Sequence, residues 1–584
     1  MSRGAILFRL SCGEGGQTIR IDRGVLFSVF SASLAILLCG AFSGARAGSV
    51  AITVLHTSDL HGHVYPHEAL ADRDLGEGLA RVAAAVRQIR AEGRPTLLLD
   101  SGDTIEGAPE QALAFQTGGV DGKDPIVAAM NRIGYDAMAV GNHEFDFGRE
   151  RLARSQSEAR FPFLSANVTE ENGRPAFPPF VVREIGGVRV GILGLTTRQV
   201  PAWESPSRIS GLRFADSAET ARRFVAALRD REGCDLVIVI AHQGFERDPE
   251  TGAGRGGGYE NQAYALATEV RGIDLLLAGH THAVIAPRRL GGTWISQPGR
   301  YGNTLTRFDV ALAPNGERWS VSRIDGTNLA MTSVVPDPEV VGLAEASHAA
   351  AMAHLAREVA RLPAPLSADA ARTGDTALLD WLHGVERRAG HADISFASLL
   401  PGGLAPWPAG PLTIRQIWSF YPYENTLVTV RATGRQVRKA LEAAARCISG
   451  IEASDDGFVW KRNPAVWGYN CDTLDGAEYA LDPTRPEGHR LLFLRREGRS
   501  IGDEDVLLVA LNSYRAAGGG GYAVWRSCPR VAETRASLRE LLIEDAERRG
   551  DLAIECNENW FLAPSLPEGS LRLPRNRSAG RPRG

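Results

Sequence analysis

Lysine is nearly missing from this 584-residue chain: of 65 basic residues only Lys123, Lys439 and Lys461 are lysine, and the rest are arginine. So uniform an arginine excess is a composition bias and carries no functional weight. Net positive charge is missing too, with 69 acidic residues against 65 basic ones, a formal charge of −4 and a pI of 6.4. That excludes the broad positive field that non-specific binding to a nucleic-acid duplex requires. No repeat of 20–50 residues is evident. Disorder of the whole chain is excluded by its 44% hydrophobic content, and its length predicts at least two domains. Apolar runs long enough to approach a membrane span are lacking, apart from Val25 to Cys39. That run contains Ser31 and Ser33 and is short for a stable span. With Arg20 and Arg23 before it and Ala45-Arg46-Ala47 after it, it reads as a secretory signal cleaved after Ala47. An uncleaved anchor and a lipid on Cys39 are the competing readings, the second disfavoured by Leu38. The expectation is a periplasmic or secreted protein with no stable membrane span after cleavage. Cysteine is sparse, and four of the seven lie late, at Cys447, Cys471, Cys528 and Cys556. In an oxidising compartment they admit two disulfides, whereas Cys234, inside an apolar run, reads as a buried thiol.

Short β-rich runs alternate with helical stretches from residue 50 to about 310, at Ala51 to Leu55, Thr96 to Leu99, Ala137 to Val140, Leu236 to Ile240 and Ile273 to Leu277. This is an α/β layout. Two hairpins are predicted within it, turning at Gly186-Gly187 and at Pro314-Asn315-Gly316. Residues 338–363 are Ala-, Leu- and Glu-rich between flanking prolines and predict one helix linking two domains. The resulting division is a signal at 1–47, a first domain at 48–337, the linker helix at 338–363, a second domain at 364–565 and a disordered basic tail at 566–584.

Each of the five β-runs is followed within a few residues by groups that bind hard or borderline metal ions: Asp59 and His61, Asp103, Asn142 and His143, His242, then His280 and His282. Any one of them alone has a dull explanation as a helix cap or turn residue. Recurrence at five strand ends is another matter, because loops leaving the carboxyl ends of parallel strands converge on one crevice. Imidazole and carboxylate donors suit Zn, Mn, Fe or Co, and a shared carboxylate can bridge two ions. A pair of divalent ions about 3.5–4 Å apart polarises a phosphoryl oxygen and lowers the pKa of water. Phosphoester hydrolysis is the reaction this chemistry fits.

Asp59-x-His61, Gly102-Asp103, Gly141-Asn142-His143-Glu144, His242 and Gly279-His280-x-His282 resemble the calcineurin-like metallophosphoesterase motifs, in their order. The string GNHEFDFG at 141–148, the linker helix and the second domain resemble the 5'-nucleotidase superfamily, over about residues 50–560. The resemblance implies a four-layer α/β sandwich joined by the linker helix to a smaller α+β substrate-binding domain. It implies one metal on Asp59, His61, Asp103 and His282, and another on Asp103, Asn142, His242 and His280. His143, oriented by Asp146, would face the phosphate and stabilise the transition state; the plain alternative for Asp146 is a helix cap.

Within the second domain, YPYEN at 421–425 and NSYRAAGGGGY at 512–522 set aromatics beside Asn and glycine. By the resemblance, Tyr423 and Tyr514 would sandwich a nucleobase, with Asn425 and Asn512 in the same binding segments; core packing is the alternative for the two rings. Where 5'-nucleotidases read GGDGY this chain has Gly520, and where a GGxR arginine is expected it has Ala405. YNCDTLDGAEYALD at 469–482 and NSYRAAGGG look closer to the 2',3'-cyclic-nucleotide 2'-phosphodiesterase/3'-nucleotidase branch. A carboxylate gripping the ribose 2' and 3' oxygens would repel a substrate phosphorylated there. Asp146 and the DLHG string at 59–62 look more like the 5' branch. The expected function is therefore a two-metal nucleotide phosphohydrolase of the cyclic/3' branch. A 5'-nucleotidase or UDP-sugar hydrolase is the alternative, and an inactive surface or binding protein is the rival of another class.

Overall fold

The computed structural model describes residues 48–118, 122–255, 260–400, 403–454 and 457–564. The expected signal at 1–47 and the basic tail at 566–584 lie outside the described residues.

Two six-stranded sheets stack in the first half. One runs in the order Arg318–Ala330, Thr304–Asn315, Val50–Thr57, Thr96–Asp100, Ala137–Ala139, Phe163–Leu164. The other runs Val284–Leu290, Thr293–Pro298, Leu275–Ala278, Leu236–His242, Val188–Thr196, Phe180–Ile185. Their inner strands are parallel, and the antiparallel additions lie towards the edges. The strand Leu236–His242 is buried along its whole length, as its unbroken apolar run requires for a strand covered on both faces. Leu236, Ile238 and Ile240 meet Ile52, Val54, Leu97 and Leu99 between the sheets. Val237 and Val239 turn instead to Val225, Leu228 and Leu266 on the helices Ser217–Asp230 and Ala263–Glu269. Leu79–Arg90 and Pro125–Ile133 cover the outer face of the first sheet through Val82, Val86, Ile126 and Met130. Helix, sheet, sheet and helix make four layers, as expected.

Both predicted hairpins form, at Gly186-Gly187 and, one residue later than expected, at Gly316-Glu317. The linker helix is shorter than predicted. Asp337 caps it by accepting from the backbone N–H groups of Glu339 and Val340, and it runs from Pro338 only to Leu355. Glu358–Leu362 is a strand paired with Gly410–Thr413, because Val359 and Leu362 are buried in the second-half core and the pairing satisfies their backbone. The helix packs against Pro109–Thr117 and Pro125–Ile133 of the first half.

The second half holds a five-stranded sheet in the order Thr473–Asp475, Ile394–Ala397, Val506–Asn512, Thr426–Thr433, Arg530–Ser537. Helices Ala377–Gly390 and Leu538–Arg549 cover one face and Gly434–Ala444 the other. Cys447 and Cys471 form a disulfide. The second expected disulfide is absent: Cys528 is buried in the core, whereas Cys556 is exposed beside Asp375 and Asp380, and both are free thiols. Cys234 is buried and free, as expected.

Candidate active site

The five loops leave the carboxyl ends of neighbouring strands and carry their side chains to one cleft. Asp59, His61, Asp103, His280 and His282 all have φ between 47° and 74°. A non-glycine residue in this left-handed region costs on the order of 1 kcal/mol. Five such residues together mark backbone bent to aim side chains. The glycines preceding Asn142 and His280 make room: a Cβ on Gly141 would lie 2.2 Å from Asp103 Oδ1, and one on Gly279 would lie 2.2 Å from Ser58 Oγ.

Asp59, His61 and His282 bring one donor atom each within 4.8 Å of one another, and so do Asp103, His242 and His280. The His61 Nδ1–H donates to the Glu106 carbonyl at 3.0 Å and leaves Nε2 facing His282 Nε2 at 3.0 Å. Likewise the His242 Nδ1–H donates to the Ser101 carbonyl at 2.8 Å, so Nε2 faces Asp103 Oδ2 at 2.9 Å and Asn142 Oδ1 at 3.1 Å. His280 donates from Nε2 to Glu260 at 2.8 Å, which leaves Nδ1 for the cluster. All seven expected ligand residues are thus gathered.

The electrostatics call for cations. Burial pushes His61 down to about 3 and His282 to about 2, so both imidazoles are neutral. Burial, with Asp103 beside it, raises Asp59 well above the carboxylate range. Burial also works against a charged Asp103, but His242 and His143 outweigh it and hold that group well below the usual range. Buried acids beside neutral imidazoles whose Nε2 atoms converge form a donor set that divalent cations fit.

His143 lies beside these groups, its backbone N–H donating to Asp103 Oδ1 at 2.9 Å. Its Nδ1 is 2.9 Å from Asp146 Oδ2 and 3.3 Å from Glu106 Oε2. Burial lowers its pKa, but Asp146, Asp103 and Glu106 prevail and raise it well above the usual histidine value. Glu204 lies behind this pair, and burial together with Asp146 pushes it well up, making it the protonated partner. Sequence reasoning missed Glu106, Glu144, Glu204 and Glu260. Glu144 alone had a signal, its place in the GNHE string: its carboxyl accepts from the backbone N–H groups of Gly141, Asp103, Thr104 and Ile105 at 2.6–3.2 Å and so ties two ligand loops together. The others come from loops with no motif.

From the second half, Tyr423 is 41% exposed and near enough to His143, Glu106 and Arg300 for their charges to act on its phenol. Tyr514 lies near Tyr423 and Glu260, and Tyr469, which the sequence reading did not single out, joins them. Both expected rings therefore belong to this cleft. The two asparagines turn inward instead. Asn512 is 6% exposed and its Oδ1 caps the helix Ser513–Ala516 by accepting from the Arg515 N–H at 2.8 Å, while Asn425 faces Tyr421 and Ser513. The cap commits the Asn512 carbonyl oxygen. Beneath the glycine run, Arg515 is fixed to Asp472 by two hydrogen bonds of 2.7 Å and donates to the Gly519 carbonyl. Gly520 has φ 66°, and a Cβ there would lie 2.0 Å from Asn470 Oδ1 and 2.2 Å from Arg515 Nη1.

Residues 52–284 match the calcineurin-like phosphoesterase family, and residues 351–526 match the 5'-nucleotidase C-terminal domain. The chain is 27% identical to the 2',3'-cyclic-nucleotide 2'-phosphodiesterase/3'-nucleotidase of Salmonella typhimurium over 94% of each chain. It is 26% identical to the trifunctional nucleotide phosphoesterase protein YfkN of Bacillus subtilis over 89% of its own length, spanning 39% of that longer protein. Among solved structures it resembles a Staphylococcus aureus protein classed with the 5'-nucleotidases, at TM-score 0.77 and 25% identity over 88% of this chain and 99% of that one.

Proposed function

Because the chain belongs to the calcineurin-like phosphoesterases that carry a 5'-nucleotidase C-terminal domain, and is a metal-dependent phosphoric ester hydrolase, we propose that it is an exported enzyme acting on 2',3'-cyclic and 3'-nucleotides to release nucleoside and phosphate. The observation that carries the regiochemistry is Gly520. With Asn470 and Arg515 filling the space a Cβ would need, no carboxylate is presented there to the ribose 2' and 3' oxygens. A phosphate on those oxygens meets no fixed negative charge from this loop. The relative named for this activity, aligned over almost the whole chain, supports the same reading.

In this proposal Asp59, His61, Asp103 and His282 hold one divalent ion, and Asp103, Asn142, His242 and His280 hold a second. Such ions supply Lewis-acid polarisation of the phosphoryl group and a more acidic water. The chain's own part is orientation. The carbonyls of Glu106 and Ser101 fix the tautomers of His61 and His242 so that each Nε2 lone pair points inward. His143, held through Nδ1 by Asp146, offers Nε2–H to the phosphoryl oxygen on which charge develops. Tyr423 and Tyr514 flank the base, each stack worth about 1–3 kcal/mol whichever base it is.

Export is proposed on the arginines, apolar run and small-residue site before residue 48, and the Cys447–Cys471 disulfide supports an oxidising compartment. Among the described residues no helix is long and apolar enough to cross a membrane. A panel of 2',3'-cAMP, 3'-AMP, 5'-AMP and a UDP-sugar with added Mn tests the substrate reading. Turnover of 5'-AMP or the UDP-sugar alone would overturn it.

A further inference from the structure

Arg300 has no acid within ion-pair distance among the described residues, and the acid its charge acts on, Glu77, is itself raised to about 7 by burial and by Glu68. Other guanidinium groups around the cleft are committed: Arg515 is paired with Asp472 at 2.7 Å, Arg539 is paired with Glu424, and Arg208 hydrogen-bonds the Glu204 carboxyl at 3.5 Å and the Glu424 carbonyl at 3.1 Å. Arg300 is exposed and forms no ion pair among the described residues. Its guanidinium carbon sits 4.6 Å from the centroid of the Tyr301 ring, and Nη1 donates to His282 Nδ1 at 3.3 Å. The turn carrying it is tied to the metal loops, since Tyr301, with φ 58°, donates its backbone N–H to the Asp59 carbonyl at 2.8 Å. Across the cleft, its charge acts on the Tyr423 phenol of the second half. The guanidinium is therefore stationed between the candidate metal ligands and a ring of the candidate base clamp.

Its one side-chain hydrogen bond is incompatible with a loaded site. Arginine can only donate, so His282 Nδ1 accepts and the ring proton is on Nε2, directed at His61 Nε2 3.0 Å away. A neutral imidazole that ligates through Nε2 carries its proton on Nδ1 instead. Arg300 and the Nδ1–H are then two donors side by side, and a shared anionic acceptor is what satisfies both. Carboxylates crowd this cleft, with Asp59, Asp103, Glu106, Asp146, Glu204 and Glu260 all near it. An incoming phosphate gains from every unneutralised cation there.

We propose that Arg300 is a phosphate-binding residue, donating to a non-bridging phosphoryl oxygen of the substrate once His282 serves as a ligand. The inference rests on the hydrolase reading above but not on its nucleotide regiochemistry. The test compares wild type, Arg300→Gln and Arg300→Lys, all loaded with Mn. The readouts are metal content, calorimetric affinities for inorganic phosphate and adenosine, and steady-state constants on 4-nitrophenyl phosphate and 3'-AMP. For Arg300→Gln the phosphate Kd and the KM for both esters should rise about tenfold, a typical yield for one charge-assisted hydrogen bond. Adenosine affinity and metal content should stay unchanged, and Arg300→Lys should recover part of the loss. A phosphate Kd within about twofold of wild type, an equal loss of adenosine affinity, or loss of metal would overturn the proposal. Failure to cleave 3'-AMP or 2',3'-cAMP would instead sink the nucleotide reading, leaving the Arg300 comparison intact on 4-nitrophenyl phosphate.

Discussion

Restoring an acidic residue at position 520 should wreck the loop without creating a 5'-nucleotidase. Gly520→Asp forces an L residue to φ 66°, which costs about 1–2 kcal/mol. Its Cβ then overlaps Asn470 Oδ1 at 2.0 Å and Arg515 Nη1 at 2.2 Å. Asn470 is short and can turn, but Arg515 is anchored by Asp472 and by the carbonyls of Tyr469 and Gly519. Displacing it strands a buried charge pair, worth about 3–5 kcal/mol when one partner is lost. The sum, about 4–7 kcal/mol, is a large part of an ordinary domain's stability of about 5–15 kcal/mol. Gly520→Ala carries the same backbone and Cβ penalties without a new charge and should lose nearly as much. The assay is urea unfolding followed by tryptophan fluorescence, with the 5'-AMP and 3'-AMP rates measured in parallel. An aspartate variant that unfolds within about 1 kcal/mol of wild type and gains 5'-AMP turnover would refute both the steric argument and the substrate reading built on it.

Asp103→Asn should lower bound metal, measured by elemental analysis, and reduce turnover by more than the ~10–100-fold typical of an outer partner, because Asp103 belongs to one donor group and its charge acts on Asp59, His61 and His282 of the other. His143→Ala should keep its metal but lose roughly 10²–10³ in kcat, the scale of one removed transition-state donor; unchanged turnover would remove His143 from the reaction. Stability should also depend on pH through His383, which is 2% exposed between Ser395 and Thr473 and is lowered by burial to about 4. Because its folded pKa lies below the unfolded value, the unfolded chain binds the extra proton. Stability is then complete above about pH 6.5 and falls as pH drops towards 4, by about 3 kcal/mol. A His383→Asn variant whose urea midpoint keeps the wild-type pH slope between 4 and 6.5 would refute this.

The candidate metal ligands were legible because each follows a strand, and strands in a parallel arrangement deliver their loops to one edge. Glycine before Asn142 and before His280 carried the same message, since a side chain at Gly141 or Gly279 would collide with Asp103 or Ser58. The α/β layers and both hairpins followed from apolar periodicity and turn residues. Helix propensity over 338–363 misled where Val359 and Leu362 found a strand partner and a core to fill.

What the sequence determined by itself was therefore the chemistry of each loop: which donor types it carries, and that several loops carry them. Which residues face one another was decided by the tertiary structure. Glu106, Glu204, Glu260 and Arg300 acquire meaning only through partners far away in the chain or on other loops, and the carbonyl oxygen of Asn512 caps the helix that follows it. The bareness of Gly520 reads in sequence as a missing acid, but its cause is the guanidinium of Arg515 beneath it, held by Asp472 from another strand's end. Side-chain type is written locally, whereas burial, pairing and available space depend on which distant segments the fold brings alongside.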